Sequence, residues 1–165
     1  MPGAVERFLE AARARGLSPA VRRFPSGTKT AADAARAVGC DVGQIVKSLV
    51  FVADGRPVVA LTSGRNRVDP SRLSAVLGAR EVRKASAEEA RAATGFAIGG
   101  TPPFGYPRPL QILLDRDLLG HEVVWAAAGT PDTVFPIAPA DLLEASGATV
   151  ADFAEGAGER GEGAV

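Results

Sequence analysis

One cysteine (Cys40), one histidine (His121), one tryptophan (Trp125) and one tyrosine (Tyr106) in 165 residues exclude several kinds of chemistry at the outset. A lone cysteine builds no disulfide framework, and one cysteine with one histidine makes no zinc finger. A Ser/His/Asp triad is equally poorly provided for. Ser26 and Ser63 lack a Gly-x-Ser-x-Gly setting, and His121 stands beside the start of an expected strand. Net charge is missing too: 19 basic against 19 acidic residues leave zero, which removes the global electrostatic case for a nucleic-acid coat and leaves only a local basic face. No stretch reaches the ~18 apolar residues of a membrane span. The first ten residues alternate charged and apolar groups without a signal-peptide core. The expectation is a cytoplasmic protein with no membrane partner. Lysine is scarce as well. Lys29, Lys47 and Lys84 stand against sixteen arginines, so each marks a position where arginine is not used.

What is present suffices for a core: 46% hydrophobic and 23% charged residues in a chain of single-domain length. We expect one domain over residues 1–155, followed by a disordered glycine-rich tail over residues 156–165. Val5, Phe8, Leu9 and Ala12 recur at helical spacing, predicting an amphipathic helix from Ala4 to Arg15. Further helices are expected from Thr30 or Ala31 to Val38, after Asp69-Pro70, from Ala87 to about Ala93 behind the capping-box sequence Ser86-x-x-Glu89, and from Pro139 to Ala145. Strands are expected over 45–53 and 57–61, joined by an Asp54-Gly55 hairpin turn, and over 81–84, 110–114, 122–127, 133–137 and 148–153. Hairpins mixed with scattered helices, without regular βαβ alternation, argue α+β: a mixed, partly antiparallel sheet or half-barrel of about six to seven strands with surrounding helices.

Lys47 stands out on this frame. Strand parity puts Ile45, Lys47, Leu49 and Phe51 on one face and Val46, Ser48, Val50 and Val52 on the other; both faces are apolar, so the strand should be central. An ammonium in such a strand must reach water, a partner or a ligand, and lysine adjusts by lowering its pKa when desolvated. The bland alternative is a rim lysine, snorkelling and paired with an acid such as Asp41. The second candidate is the loop Gly99 to Pro107, within a stretch from Gly95 to Pro109 where Gly95, Gly99, Gly100 and Gly105 are interleaved with Pro102, Pro103, Pro107 and Pro109. Such a loop is rigid and lets another molecule approach its backbone closely, although many Gly/Pro loops only turn corners. No Gly-Lys-Ser/Thr follows, so it is not a P-loop. Cys40 reads as a small packing residue with no thiolate signal. Arg65, Arg67 and Arg108 are candidate phosphate contacts, each equally readable as a solvated surface group.

Several segments together resemble a known family: Thr30-Ala-Ala-Asp-Ala-Ala, Gln44-Ile-Val-Lys-Ser-Leu-Val-Phe51, Arg67-Val-Asp69, Gly99-Gly-Thr-Pro-Pro-Phe-Gly105, Pro109-Leu110 and Ala138-Pro-Ala-Asp-Leu-Leu143. From about Thr28 to Ala154 the chain resembles the YbaK/EbsC family of aminoacyl-tRNA deacylases, which is similar to the editing insertion domain of bacterial prolyl-tRNA synthetases. The lysine segment and the Gly99-x-x-x-Pro103 loop are specific in combination. The resemblance implies a trans-editing hydrolase that cleaves the ester of a mischarged tRNA, a tRNA-Pro carrying Ala, Cys or Ser, with no cofactor and no metal. It implies catalytic roles for Lys47, Gly100 and Thr101. Lys47 would position the ester and stabilise its developing charge, and the Gly100 and Thr101 amides would contact the carbonyl or terminal ribose. Substrate contacts would come from Ser48, Ser63, Gly99, Pro102, Pro103, Phe104, Gly105 and Tyr106, and tRNA contacts from Arg65, Arg67 and Arg108. Its partner would be the acceptor 3′ end of aminoacyl-tRNA, with help from a prolyl-tRNA synthetase or an elongation factor. The alternative is a binding module, associated with a synthetase, that holds an aminoacyl-tRNA or nucleotide without turnover. Tyr106 stands where other members often carry histidine, and Ser48 where Asn or Thr also occurs, so the edited amino acid is open.

Overall fold

In the computed structural model, which describes residues 3–28 and 30–156, helix α1 (Ala4–Ala14) buries the Phe8 and Ala12 positions of its apolar stripe completely. A two-residue strand, β1 (Arg22–Arg23), precedes α2 (Ala31–Val38), whose N-terminus is capped by the Thr30 hydroxyl accepting from the Asp33 N–H at 3.0 Å. A 3₁₀ turn (Val42–Gln44) leads into β2 (Val46–Ala53), which reverses at Asp54–Gly55 into β3 (Arg56–Ser63). Then follow α3 (Pro70–Leu77), β4 (Val82–Lys84), α4 (Ala87–Thr94), β5 (Gln111–Asp115), a second 3₁₀ turn (Arg116–Gly120), β6 (Val124–Ala127), β7 (Thr133–Ile137), α5 (Pro139–Ser146) and β8 (Thr149–Ala151).

The strands form two sheets. Five lie in the order β4-β2-β3-β5-β8, with β3–β5 and β5–β8 parallel and the other neighbours antiparallel; three form an antiparallel sheet in the order β1-β7-β6. The α+β class with a mixed sheet is therefore present, with eight strands among the described residues. The additional strand is Arg22–Arg23, two exposed arginines paired to Val134 and Thr133, too short to leave a period in the sequence. Apart from Gly156, the expected tail lies outside the described residues.

The two apolar faces of β2 have a direct reason. Val46 and Val50 pack into a large core with Phe8, Phe104, Phe135 and Leu142, while Phe51 and Ala53 pack into a second core with Leu73 and Phe153. Yet β2 is central over only part of its length. It pairs with β3 throughout, from Val46↔Ser63 to Ala53↔Arg56, but with β4 only over Phe51–Ala53. One further bond on that side runs from the Ala85 N–H to the Val50 carbonyl at 3.0 Å. At the other end Ile45 bridges Trp125 of β6. Between Ile45 and Val50 no strand among the described residues pairs with this edge of β2, and the two sheets part there.

The start of α4 couples the fold to acid. Arg83 donates to both Glu89 carboxylate oxygens at 2.7 and 2.8 Å, and the capping box closes with the Ser86 N–H donating to Glu89 at 2.9 Å. The Arg83 guanidinium, then the Ser86 N–H, hold the Glu89 pKa at about 2, below its ordinary 4.5. The stabilisation this carboxylate supplies is complete above the unfolded value and is lost as pH falls towards about 2. Glu89→Gln is expected to lower the urea midpoint at pH 7 and to flatten its decline in that acid range; an unchanged acid limb would contradict this.

Candidate active site

The gap along β2 is a cavity of about 320 Å³, at the small end of ligand pockets. Its floor is the edge of β2 from Ile45 to Val50. Lys84 and Ala85 bound one side, Trp125 to Ala127 of β6 the other, Thr28, Thr30 and Ala31 the entry to α2, and Ile98, Gly99 and Thr101 the facing loop. Among its lining residues are four of the residues singled out above: Lys47, Ser48, Gly99 and Thr101.

Ser48 is the most exposed to the consequences of the missing neighbour. In an antiparallel strand both backbone groups of a residue point the same way and alternate with a two-residue period. Since the Val50 carbonyl receives the Ala85 N–H on the β4 side, the Ser48 N–H and C=O face that same edge, where no strand pairs. Its side-chain Oγ is buried and has no hydrogen-bond partner among the described residues. A buried hydroxyl left unmatched costs about 1–3 kcal/mol, so a polar ligand in the cavity has groups to satisfy.

Lys47 is half-buried, and its ammonium donates to the Asn66 carbonyl at 2.6 Å. It does not pair with Asp41, whose carboxylate takes Arg65 at 2.6 and 2.7 Å. A second tier fixes the Lys47 contact. The buried Asp115 carboxylate accepts from the Asn66 side-chain amide at 2.8 Å, the Ser63 N–H at 3.0 Å and the Asp117 N–H at 3.0 Å, and Asp117 accepts from the same Asn66 amide at 2.8 Å. Burial pushes the Lys47 pKa below the ordinary lysine value, the positive charges of Arg67 and Lys84 push it further, and Asp115 opposes them. The ammonium is thus held in place by a carbonyl and a carboxylate one residue removed, with no carboxylate on itself.

The loop over the cavity is fixed from behind. Phe104 is a core residue, its ring centroid 5.2 Å from Phe8 and 6.4 Å from Phe135. The Tyr106 hydroxyl donates to the Pro102 carbonyl at 2.7 Å, Thr94 Oγ1 ties Ala90 to Phe96, and Thr101 Oγ1 donates to the Ala97 carbonyl at 3.0 Å. A Cβ on Gly100 would stand 2.7 Å from the Thr130 Cα, so only glycine lets the loop approach the β6–β7 turn. The Gly100 N–H itself donates to the Ala97 carbonyl at 3.0 Å.

The expected substrate contacts therefore separate into two groups. Pro102, Pro103, Phe104, Gly105 and Tyr106 do not line the cavity; they are the packed support of Gly99 and Thr101, and the Gly100 amide is already bonded within its turn. Ser63, also outside the lining, donates its hydroxyl to the Gly43 carbonyl at 2.8 Å. Arg65 and Arg67 stand on the exposed loop beyond β3, close to Lys47, whereas Arg108 lies with Asp54 and Arg56 at the turn end of the hairpin, away from it. Cys40 donates to the Asp41 carbonyl at 3.4 Å, and burial, then Asp41, push its thiol pKa up, in keeping with packing. Sequence reasoning missed Asn66, Asp115, Thr28 and Trp125. For Asp115 a signal existed: an acid closing the apolar run Ile112-Leu-Leu.

Removing the Asp115 charge should take away a carboxylate that offsets the cationic pull of Arg67 and Lys84 on Lys47. We expect Lys47 in Asp115→Asn to lose its proton at lower pH than in the parent protein, itself below the ordinary lysine value, as read by NMR titration of the labelled Lys47 side chain. A rise, or no change, would break the proposed link through Asn66.

Known proteins share this fold and sequence pattern. The family described as aminoacyl-tRNA editing domain matches residues 25–145. A crystal structure of a protein proposed to be a trans-editing enzyme for prolyl-tRNA synthetase superposes with a TM-score of 0.88 at 46% identity, covering 94% of this chain and 99% of that one. YwhH of Bacillus subtilis (strain 168) is 29% identical over 127 residues, 76% of this chain and 80% of that protein. A stretch of 92 residues, 56% of this chain, is 37% identical to the proline–tRNA ligase of Ligilactobacillus salivarius (strain UCC118), of which it spans 16%. The chain belongs to the aminoacyl-tRNA editing domain family.

Proposed function

We propose that the protein is an aminoacyl-tRNA deacylase that acts in trans, hydrolysing the ester between a wrong amino acid and the terminal ribose of a tRNA-Pro charged with Ala, Cys or Ser. The observation that carries this reading is the open edge of β2. Along it Lys47 and Ser48, the latter with an unmatched buried hydroxyl, line one small cavity together with Gly99 and Thr101 of the glycine loop. The cavity volume of about 320 Å³ suits an aminoacyl group with its ribose, and the walls of Ala31, Ala34, Ala126 and Ala127 suit a small side chain.

The reaction needs little from the protein beyond placement and charge. Water attacks the ester carbonyl, the carbonyl oxygen takes up negative charge, and the bond from carbonyl carbon to ribose oxygen breaks. The proton lost by water ends on the ribose oxygen, releasing the amino acid and a tRNA with a free terminal hydroxyl. Lys47 stands as the stabiliser of the oxyanion, a role in which a fixed charge in a water-poor site acts most strongly. Ser48 receives a polar group of the aminoacyl moiety, and Gly99 and Thr101 close over the ribose. Gly100, with its amide bonded to Ala97, serves this scheme by letting the loop pack. No side chain is assigned as general base; the adjacent ribose hydroxyl orients the water.

Acting on aminoacyl-tRNA implies work in the cytoplasm beside a synthetase or elongation factor, which would raise the local concentration of substrate for a chain of zero net charge. Deacylation of tRNAs carrying Ala, Cys, Ser or Pro at catalytic protein concentration tests the reading. Lys47→Ala is expected to fold and to lose about 10²–10³-fold in kcat. Lys47→Arg should also be poor, because a planar fork does not replace a compact ammonium. A folded parent protein that binds these tRNAs but completes no second turnover would instead be a binding module.

A further inference from the structure

The scarcity of lysine acquires a spatial meaning in the fold. Lys47 and Lys84 line the same cavity, and no Asp or Glu among the described residues lines it. Lys84 ends β4, opposite Phe51, and is exposed, whereas Lys47 is half-buried on the floor. Neither forms an ion pair among the described residues. Arg83, the residue before Lys84, is by contrast paired, holding Glu89 in a two-bond contact. The positive charges of Lys84 and Arg67 act on Lys47 with the same sign, lowering its pKa. A cavity lined by two ammonium groups, neither in an ion pair, and by no carboxylate among the described residues is suited to an anion as well as to an ester.

We propose that Lys84 is a phosphate-binding residue, taking at the cavity mouth the phosphodiester of the terminal nucleotide of aminoacyl-tRNA while Lys47 faces the ester inside. This rests on the deacylase reading above. The ester bond is uncharged and the α-amino group beside it is at most a cation, so the aminoacyl part accounts for one ammonium through the charge that develops during reaction and leaves the other without a counterpart. The nearest anion that the substrate carries is the phosphate on the same ribose. Lys84 is the exposed member of the pair, as the part of the substrate that enters last requires. A phosphate contact of this kind fixes register without reading sequence.

The test compares an aminoacyl-tRNA with the 3′-alanyl ester of adenosine, which carries the same ester and no phosphate. In Lys84→Gln the ratio of kcat/KM for the tRNA to that for the adenosine ester is expected to fall about tenfold. The slope of log KM for the tRNA against log salt should drop by about 0.7, the share of one contact to a single strand. Lys84→Arg, which keeps the charge, should restore most of the ratio. An unchanged ratio, whether both substrates suffer together or neither does, overturns the proposal, and a melting curve confirms that the variants fold. If the parent protein hydrolyses neither ester, the deacylase reading fails by itself, and adenosine 5′-monophosphate against adenosine then judges Lys84. Tighter binding of the monophosphate, lost in Lys84→Gln, upholds the phosphate site; equal binding of the two removes it.

Discussion

A β-strand edge inside a protein has to be matched by something, and in this chain one stretch of edge is not matched by a strand. From Ile45 to Val50 the backbone of β2 has β3 on one side and, on the other, the space between two diverging sheets. Everything that makes the site follows from that separation. The strand remains straight and ordered because β3 pairs with all eight of its residues, so the open groups are held as rigidly as any ladder. The same pairing places Ser48 and Lys47 next to each other on a fully paired strand, so that binding there would require little ordering. A loop could present the same groups, but only after losing conformational entropy that the sheet has already given up in folding.

The second constraint is the cost of an ammonium at this place. Lys47 is half out of water and has no ion pair among the described residues; a direct one would quiet the charge that the proposed oxyanion role requires. The fold resolves the conflict at one remove. Asp115, buried at the end of β5, grips Asn66, and Asn66 turns its carbonyl to Lys47. The carboxylate lends some field without occupying the ammonium. Asp41, the acid nearest in sequence, is taken by Arg65 in an exposed pair that is worth little for stability. Its consequence is that it stays off Lys47.

Much of the architecture was legible because its signals are local. Asp69-Pro70, Ser86-x-x-Glu89 and Asp54-Gly55 state a cap, a capping box and a turn within four residues, and all three form as written. Lys47 was legible through a conflict between its charge and the apolar parity around it. What escaped depends on chain distance. Asn66 and Asp115 are 49 residues apart, and neither position alone carries a pattern that predicts the other. Phe104 and Tyr106 escaped for the opposite reason: aromatic residues in a Gly/Pro loop look presented to a ligand, whereas here they face inward onto Phe8 and the Pro102 carbonyl. The arginines divide by position on the hairpin, Arg65 and Arg67 at the Lys47 end and Arg108 at the turn end, a distinction that spacing along the chain does not contain.

Selectivity in such a site has two sources of unequal strength. Walls of alanine and valine sort candidates by size, and an apolar pocket separates ligands differing by one methylene by only ~1–3 kcal/mol. The unmatched Ser48 hydroxyl sorts by chemistry instead, since a ligand that leaves a buried polar group unsatisfied forfeits the whole cost of burying it. The two act on different parts of an aminoacyl ester. In the proposed function Ala31, Ala34, Ala126 and Ala127, which line the cavity, would bound its side chain, while Ser48 and Lys47 would meet the polar atoms common to every amino acid. On the proposed deacylase reading, such a cavity would insist strongly on the polar atoms of an aminoacyl ester and only mildly on its side chain, because the polar cost exceeds the methylene cost.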